Sequence, residues 1–137
     1  MKIYTSYFAN TRNLAKNGIV PISIARISPD WFNGCRFLFL APSKQLLYNR
    51  SLTDEAYERE YNKEVCSRLD PNFLRREIEK VANGHDVALL CYEKPGEECH
   101  RHTLAKWMNE HGFNVMEFGA EAKKEEKLIE PSLFDGF

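Results

Sequence analysis

Four short runs along the chain have the length and composition of β-strands. They span residues 2–7, 19–25, 86–92 and 113–118, and the second and third are apolar almost throughout. Continuous apolar strands are typical of a sheet that is covered by helices on both faces. Residues 37–41 form a further apolar run, which predicts another strand or a buried extended segment.

Between these runs, apolar residues recur at helical spacing behind helix start signals. Thr53 precedes two acidic residues and predicts an N-cap, with Tyr57 and Tyr61 on one face of the helix that follows. Asp70 before Pro71 predicts the start of the next helix, because proline suits the first helical position. Further helices are predicted after the first strand and after residue 99.

The order of these elements predicts the fold class. Strand, helix, strand, helices, strand, helix, strand implies crossover connections between parallel strands. We therefore predict a three-layer α/β/α fold with a mainly parallel sheet of four to five strands. Residues 1–118 are assigned to a single α/β domain, and residues 119–137 to a charged C-terminal tail that is either mobile or packed back on the domain.

Composition narrows the class of protein. The chain of 137 residues has the size of one domain, and 43% hydrophobic with 28% charged residues is typical of a soluble globular protein. A net charge of -1 lacks the basic excess of a protein that coats nucleic acid. No apolar stretch has the length of a signal peptide or a membrane span, so we expect a cytoplasmic protein with reduced cysteines and no membrane partner.

The clearest chemical feature runs from Cys91, at the end of a predicted strand, to Cys99-His100-Arg101, at the start of a predicted helix. Ligands of parallel sheets collect beyond the carboxyl ends of strands, and helix N-termini favour anions. Arg101 adds a guanidinium fork for phosphate or carboxylate, so Cys91 and Arg101 are candidate ligand-binding residues. Cys99 and His100 are candidate catalytic residues, as a thiol with a lowered pKa and a proton carrier near neutral pH.

Other interpretations of these residues stay open at this point. Cys91 and Cys99 are also typical small core residues, and His100 is a typical hydrogen-bonding residue at a helix start. Zinc ligation would use a spacing that matches no standard site, and a Cys91–Cys99 redox pair lacks the compact Cys-x-x-Cys form. A phosphatase-type or rhodanese-type loop would place its arginine closer than Arg101 lies to Cys91. No cofactor motif is present, and no metal site is predicted.

The Cys91 segment and several upstream stretches also match the pattern of a known family. The matching residues are Leu89-Leu90-Cys91-Tyr92-Glu93, Cys99-His100-Arg101, Leu104, Trp107, Ile22-Ser23-Ile24-Ala25-Arg26, Pro29-Asp30-Trp31-Phe32, Leu40-Ala41-Pro42-Ser43, Tyr57 and Tyr61. On these residues the chain resembles the domain of unknown function 488 (DUF488) family over residues 1 to about 118. One difference is that Ile24-Ala25-Arg26 replaces the Asp-Val-Arg often found after the second strand of the family.

The resemblance implies an α/β fold and a shared pocket, without assigning a reaction. It implies that Arg26 faces Arg101 across this pocket, and that Thr5 and Ser6, near the end of the first strand, line it. An ion pair of Arg26 with Asp30 is the alternative for that arginine. We therefore expect a pocket for an anionic small molecule or a nucleotide-like ligand, in either an enzyme or a non-catalytic binding module.

The C-terminal tail carries a separate hypothesis. Ser132-Leu133-Phe134 resembles the short Leu-Phe peptide with which bacterial proteins dock on the replication sliding clamp, although Glu130 stands where a glutamine is expected. This resemblance implies that Leu133 and Phe134 bind a DNA-replication or repair protein. The alternative is that the apolar residues of the tail pack on the domain itself.

Overall fold

A sheet of five parallel strands lies at the centre of the fold. The computed structural model describes residues 1–92 and 100–119. The strands are β1 (Ile3–Tyr7), β2 (Ile19–Ser23), β3 (Cys35–Arg36), β4 (Asp86–Cys91) and β5 (Val115–Glu117), in the sheet order β3-β2-β4-β1-β5. All neighbouring strands are parallel, which confirms the predicted α/β fold class.

The helices begin where the sequence supplies capping groups. Ser43, Thr53 and Asp70 each accept a backbone N–H at the start of a helix, and Pro71 occupies the first turn of the third of these. Asn83, with a positive φ, ends that helix. The α-helices are α1 (Thr11–Lys16), α2 (Lys44–Leu47), α3 (Asp54–Glu64), α4 (Pro71–Ala82) and α5 (His100–Glu110).

Two apolar layers cover the two faces of the sheet. On one face, helices α3, α4 and α5 contribute buried side chains such as Tyr61, Leu74 and Leu104. On the other face, Leu14 of α1 packs with Phe8 and other aromatic side chains from the connecting segments. This arrangement agrees with the continuous apolar strands, because central residues of β4 face a packed layer on each side. No helix within the described residues has the length and apolar character needed to cross a bilayer.

Residues 37–41 do not continue as a strand, and both sequence interpretations of this run are corrected. After the two-residue β3, Leu38–Leu40 forms a 3-10 turn. Phe37 and Leu40 are buried, whereas Leu38 and Phe39 between them are exposed. Residues three apart lie on the same side of a 3-10 turn, so this local geometry buries the two ends of the run. An apolar run of five residues therefore encodes a turn here.

The carboxyl ends of β2 and β4 position the candidate site. The two strands are paired from Ile19 with Asp86 to Ser23 with Leu90, so they end side by side. The backbone continues this pairing beyond β2, because Ile24 N–H donates to Leu90 O at 3.0 Å. Residues that follow β2 and β4 are thereby brought to the same edge of the sheet.

Candidate functional site

A cavity of about 510 Å³ opens beyond the carboxyl ends of β2 and β4. This position is the one at which open parallel sheets usually bind ligands, and the volume is in the range of small-molecule sites. Its walls come from the segment after β2, from α2 and α3, from the end of β4 and from the start of α5. The side chains with polar or aromatic groups that line it are Arg26, Tyr48, Asn49, Asp54, Tyr57, Cys91, Tyr92 and His100.

Arg26 is held in the wall of the cavity by backbone oxygens. Its Nε donates to Pro42 O at 2.9 Å and its Nη2 donates to Ala41 O at 3.3 Å. A guanidinium has five N–H donors, so these two hydrogen bonds orient the group and leave donor capacity for a ligand. The predicted alternative partner, Asp30, is not the group that anchors Arg26 in the hydrogen bonds described.

The backbone that anchors Arg26 is itself fixed by α3. The hydroxyl of Tyr61, which is fully buried, donates to Leu40 O at 2.6 Å. The Oγ of Ser43 donates to Glu64 Oε2 at 2.8 Å. Two hydrogen bonds from one helix therefore hold the turn on either side of the carbonyls that Arg26 uses.

His100 begins α5 and points its ring towards the end of β2. Its Nε2 lies 2.7 Å from Ile24 O, and the ring is 5.3 Å from the Tyr61 ring centre to centre. Since a carbonyl oxygen only accepts, Nε2 carries the proton and donates. Burial lowers the pKa of His100 to about 4, with the nearby Arg101 guanidinium acting in the same direction and the Ile24 hydrogen bond opposing it. His100 is therefore neutral at pH 7.

Arg101 lies behind the cavity, in a polar cluster on the α5 side of the sheet. Its side chain is 0% exposed, and its Nε and Nη2 donate to the Glu117 carboxylate at 3.1 and 3.2 Å. Thr5, the partner of Glu117 in the sheet register, donates to the same carboxylate at 2.8 Å. Arg101 Nη1 donates to Cys91 Sγ at 2.9 Å. The guanidinium thus joins the ends of β4 and β5, and Glu117 links it to Thr5 of β1.

The described cysteines differ in their chemical state. Cys35 and Cys66 are free thiols, whereas Cys91 is disulfide-bonded. This finding corrects the expectation that the cysteines are reduced. Burial raises the pKa of Cys35, and it raises the pKa of Cys66 to about 11, so both thiols stay protonated at neutral pH. Cys99 lies outside the described residues.

The structure brings three of the predicted site residues to one cavity. Arg26, Cys91 and His100 line it together. Arg101 does not contribute to the described wall of the cavity, because its guanidinium is turned to Glu117 and Cys91.

The remaining predicted site residues lie elsewhere. Thr5 and Ser6 are both 1% exposed within the sheet. Thr5 faces the α5 side, where it binds Glu117, and Ser6 accepts a hydrogen bond from Asn10 at 3.1 Å on the other face. Neither contributes to the described cavity wall. Leu133 and Phe134 of the proposed docking peptide lie outside the described residues.

Several residues of the site were missed by sequence reasoning. Tyr48, Tyr57 and Tyr92 contribute aromatic rings to the lining of the cavity, and Asp54 contributes a carboxylate. The sequence indicates Asp54 only as a first-turn acid and Tyr57 as a helix-face residue that also matches the family pattern, because neither pattern shows which loop faces a helix start. The sequence does indicate that Glu117 needs a cationic partner, because a carboxylate on the inward face of a short strand is costly without one.

Metal binding has no support among the described residues. There, no group of three or more His, Cys, Asp or Glu side chains comes together in a way that holds a metal ion. The polar groups that line the cavity include a guanidinium, tyrosine hydroxyls, an amide and a carboxylate. This set suits hydrogen bonding to an organic ligand.

Fold and cavity together define an α/β protein with a cavity at the carboxyl edge of a parallel sheet. The sequence matches the family model DUF488-N3a, described as the active DUF488-N3 subclade, over residues 14–112. The chain therefore belongs to the DUF488 family, as its sequence resemblance predicted. No curated protein and no solved structure matches the chain.

Proposed function

We propose that the chain binds a small anionic, nucleotide-like ligand in the cavity at the ends of β2 and β4. The observation that carries this proposal is the oriented guanidinium of Arg26, which lines the same cavity as His100 and three tyrosine rings. Two backbone carbonyls hold Arg26 in place before any ligand arrives. A preorganised guanidinium loses little conformational freedom on binding, which favours recognition of a phosphate or carboxylate.

The other groups of the cavity suit the rest of such a ligand. Tyr48, Tyr57 and Tyr92 provide flat apolar surfaces that favour a planar ring. Asp54 and Asn49 provide hydrogen-bond acceptors for hydroxyl or amino groups. An anion near Arg26, a ring against the tyrosines and hydroxyl groups near Asp54 together describe a nucleoside monophosphate, which we take as the probe.

A catalytic role for this cavity is the second candidate function. It is supported by the neutral, oriented His100 in the cavity wall and by the description of the matching subclade as active. With its pKa lowered to about 4, His100 is a neutral hydrogen-bonding group at pH 7, and its protonated form is too scarce there for efficient general acid catalysis. Cys99, adjacent to His100 in the sequence, lies outside the described residues and stays the predicted nucleophile, a role that requires a free thiol.

The binding proposal is tested by a thermal-shift screen of the full chain with nucleoside monophosphates and diphosphates, orthophosphate and sulfate. A ligand that binds the folded state raises the melting temperature by mass action. We expect a concentration-dependent rise with a nucleoside monophosphate, and a smaller rise with orthophosphate, because orthophosphate contacts Arg26 without the tyrosines.

Two variants that each remove one positive charge decide whether the rise in melting temperature comes from binding in the cavity. Arg26→Gln removes the proposed anion-binding group, whereas Arg12→Gln removes an exposed cation from α1, on the opposite face of the sheet. The proposal requires that the ligand-induced shift is lost in the first variant and kept in the second. A shift that persists in Arg26→Gln, or no shift with any probe, would contradict it.

A further inference from the structure

A surface groove of about 650 Å³ lies where the end of α3 meets the start of α4. The 3-10 turn after β3 completes its walls. No residue is shared between the linings described for this groove and for the cavity at the ends of β2 and β4, so the groove is a separate candidate site. Its lining combines two aliphatic side chains with Phe39, Glu64, Arg68, Asp70, Phe73 and Arg76.

Two phenylalanine rings form an exposed apolar pair in the groove. Phe39 and Phe73 are 41% and 40% exposed, and their ring centres lie 5.6 Å apart in an edge-to-face arrangement. Phe39 also packs on the buried ring of Phe37, with the ring centres 5.0 Å apart. Both rings are therefore held in place while part of each still faces water. Aromatic side chains placed in this way are typical anchors of protein interfaces.

Two arginines beside this pair have no carboxylate partner. In the part of the chain that the structure describes, neither Arg68 nor Arg76 uses its guanidinium in an ion pair or a side-chain hydrogen bond. Both residues are exposed. The neighbouring Arg75 differs, because its guanidinium lies 4.4 Å from the centre of the Phe113 ring. The groove thus offers two guanidiniums to a partner, and arginine is enriched at interfaces together with aromatic residues.

The two carboxylates of the groove are engaged by the fold. Glu64 accepts hydrogen bonds from the backbone N–H and the hydroxyl of Ser43. Asp70 is the N-cap of α4 and accepts from the N–H of Asn72 at 3.2 Å. The positive end of the α4 dipole also offsets the charge of Asp70 in part. The charge that stays available to a partner is therefore positive.

We propose that this groove binds an acidic segment of a partner protein. Large apolar side chains of the segment pack against Phe39 and Phe73, and its carboxylates pair with Arg68 and Arg76. A guanidinium binds a carboxylate through two parallel hydrogen bonds, so the arginines select acidic segments while the rings supply the apolar contact. This docking does not depend on a ligand in the cavity at the ends of β2 and β4.

The distribution of charge favours a peptide over two other occupants. A peptide can place carboxylates opposite the arginines and neutral residues opposite Glu64 and Asp70. A nucleic acid carries a phosphate on every residue and would also bring phosphates to these two carboxylates. A second copy of the chain, related by a twofold axis, would place the same concave surface opposite itself and leave the groove unfilled.

The test selects a phage-displayed library of random twelve-residue peptides on the immobilised full-length protein. We expect enrichment of peptides that combine Asp or Glu with Phe, Leu or Trp. Fluorescence polarisation of the enriched peptides then gives the dissociation constant for each variant. Phe73→Ala should weaken binding about tenfold, as expected for an aromatic anchor. Arg68→Gln and Arg76→Gln should each weaken it about three- to fivefold, and added salt should weaken binding to the wild type.

Arg75→Gln is the matched control, because it removes the same charge from the adjacent position of α4 and does not line the groove. Peptide affinity should be unchanged in this variant. The two arginine variants alter exposed side chains, so they keep the proposal testable if Phe73→Ala does not fold.

Several outcomes would overturn the proposal. One is a selection without acidic, apolar sequences, and another is equal affinity of the enriched peptides for wild type, Arg68→Gln and Arg76→Gln. Binding of a twelve-nucleotide oligothymidylate that is lost in the same arginine variants would assign the groove to nucleic acid. Self-association in light scattering that is lost in Phe73→Ala would assign it to a second copy. Tighter binding of a peptide of residues 126–137 than of any enriched peptide would assign it to the tail of the chain.

Discussion

His100→Gln should change how the stability of the protein depends on pH. The folded state holds His100 with its pKa lowered to about 4, mainly because burial disfavours the charged ring. In the unfolded chain the same ring titrates near about 6.5. Between these two values the unfolded state binds a proton that the folded state does not. The stability contributed by neutral His100 is therefore present above about pH 6.5 and is lost as the pH falls towards 4.

The difference between the two pKa values sets the size of the effect. A lowering from about 6.5 to about 4 corresponds to a total loss of about 3 kcal/mol when the pH has fallen through the whole interval. Between pH 7 and pH 5 the expected loss from this one ring is about 2 kcal/mol. Glutamine does not titrate, and its amide N–H can still donate towards Ile24 O. The variant should therefore lack this loss.

Urea unfolding at pH 7, 6 and 5 measures the effect for wild type and variant under two-state conditions. The difference in the free energy of unfolding between wild type and variant should narrow by about 2 kcal/mol from pH 7 to pH 5. The dependence of this free energy on urea concentration should be similar for the two proteins. His111→Gln is the matched control, because it removes an exposed histidine that directly follows the same helix. A gap that stays constant with pH, or narrows equally in the control, would refute the argument from burial.

Three further predictions concern packing and the tail. Tyr61→Phe should lower the free energy of unfolding by about 1–3 kcal/mol in urea denaturation, because a buried carbonyl loses its hydroxyl donor; an unchanged midpoint would contradict this. Leu74→Ala, at a fully buried position of α4, should cost about 2–5 kcal/mol in the same assay; a cost below 1 kcal/mol would contradict close packing there. Docking of the tail on a bacterial sliding clamp predicts that a labelled peptide of residues 126–137 binds the clamp in a fluorescence titration, and that replacing Leu133 and Phe134 with alanine abolishes binding; no binding, or equal binding of both peptides, would exclude docking through this motif.

Helix starts and buried strands could be predicted from the sequence because local chemistry determines them. Thr53 and Asp70 cap helices in the structure as their side chains predicted, since an N-cap needs only one acceptor and two or three following N–H groups. The continuous apolar β4 indicated a strand covered on both faces. Residues 37–41 could not be assigned in this way, because burial of Phe37 and Leu40 depends on tertiary packing that favours a turn.

The candidate site was predictable only where it depends on strand order. His100 follows from the rule that ligand sites lie beyond the carboxyl ends of parallel strands, whereas Arg26 was implied by the family resemblance. Arg101 was expected at the ligand, but its guanidinium is bound by Glu117, and although a carboxylate on a short strand indicates the need for a cation, no local pattern identifies Arg101 as that partner. The tyrosines of the cavity likewise come from separate segments. Their convergence is a property of the packed chain.

Nuclear magnetic resonance titration of the uniformly labelled protein with a nucleoside monophosphate tests the central proposal most directly. Binding in the cavity should give saturable shifts of backbone signals at Arg26, Tyr57 and His100, and leave signals of α1 around Arg12 unchanged. Arg26→Gln should abolish these shifts. Saturable shifts that cluster away from the cavity, or shifts of equal size in Arg26→Gln, would contradict a ligand site at the ends of β2 and β4.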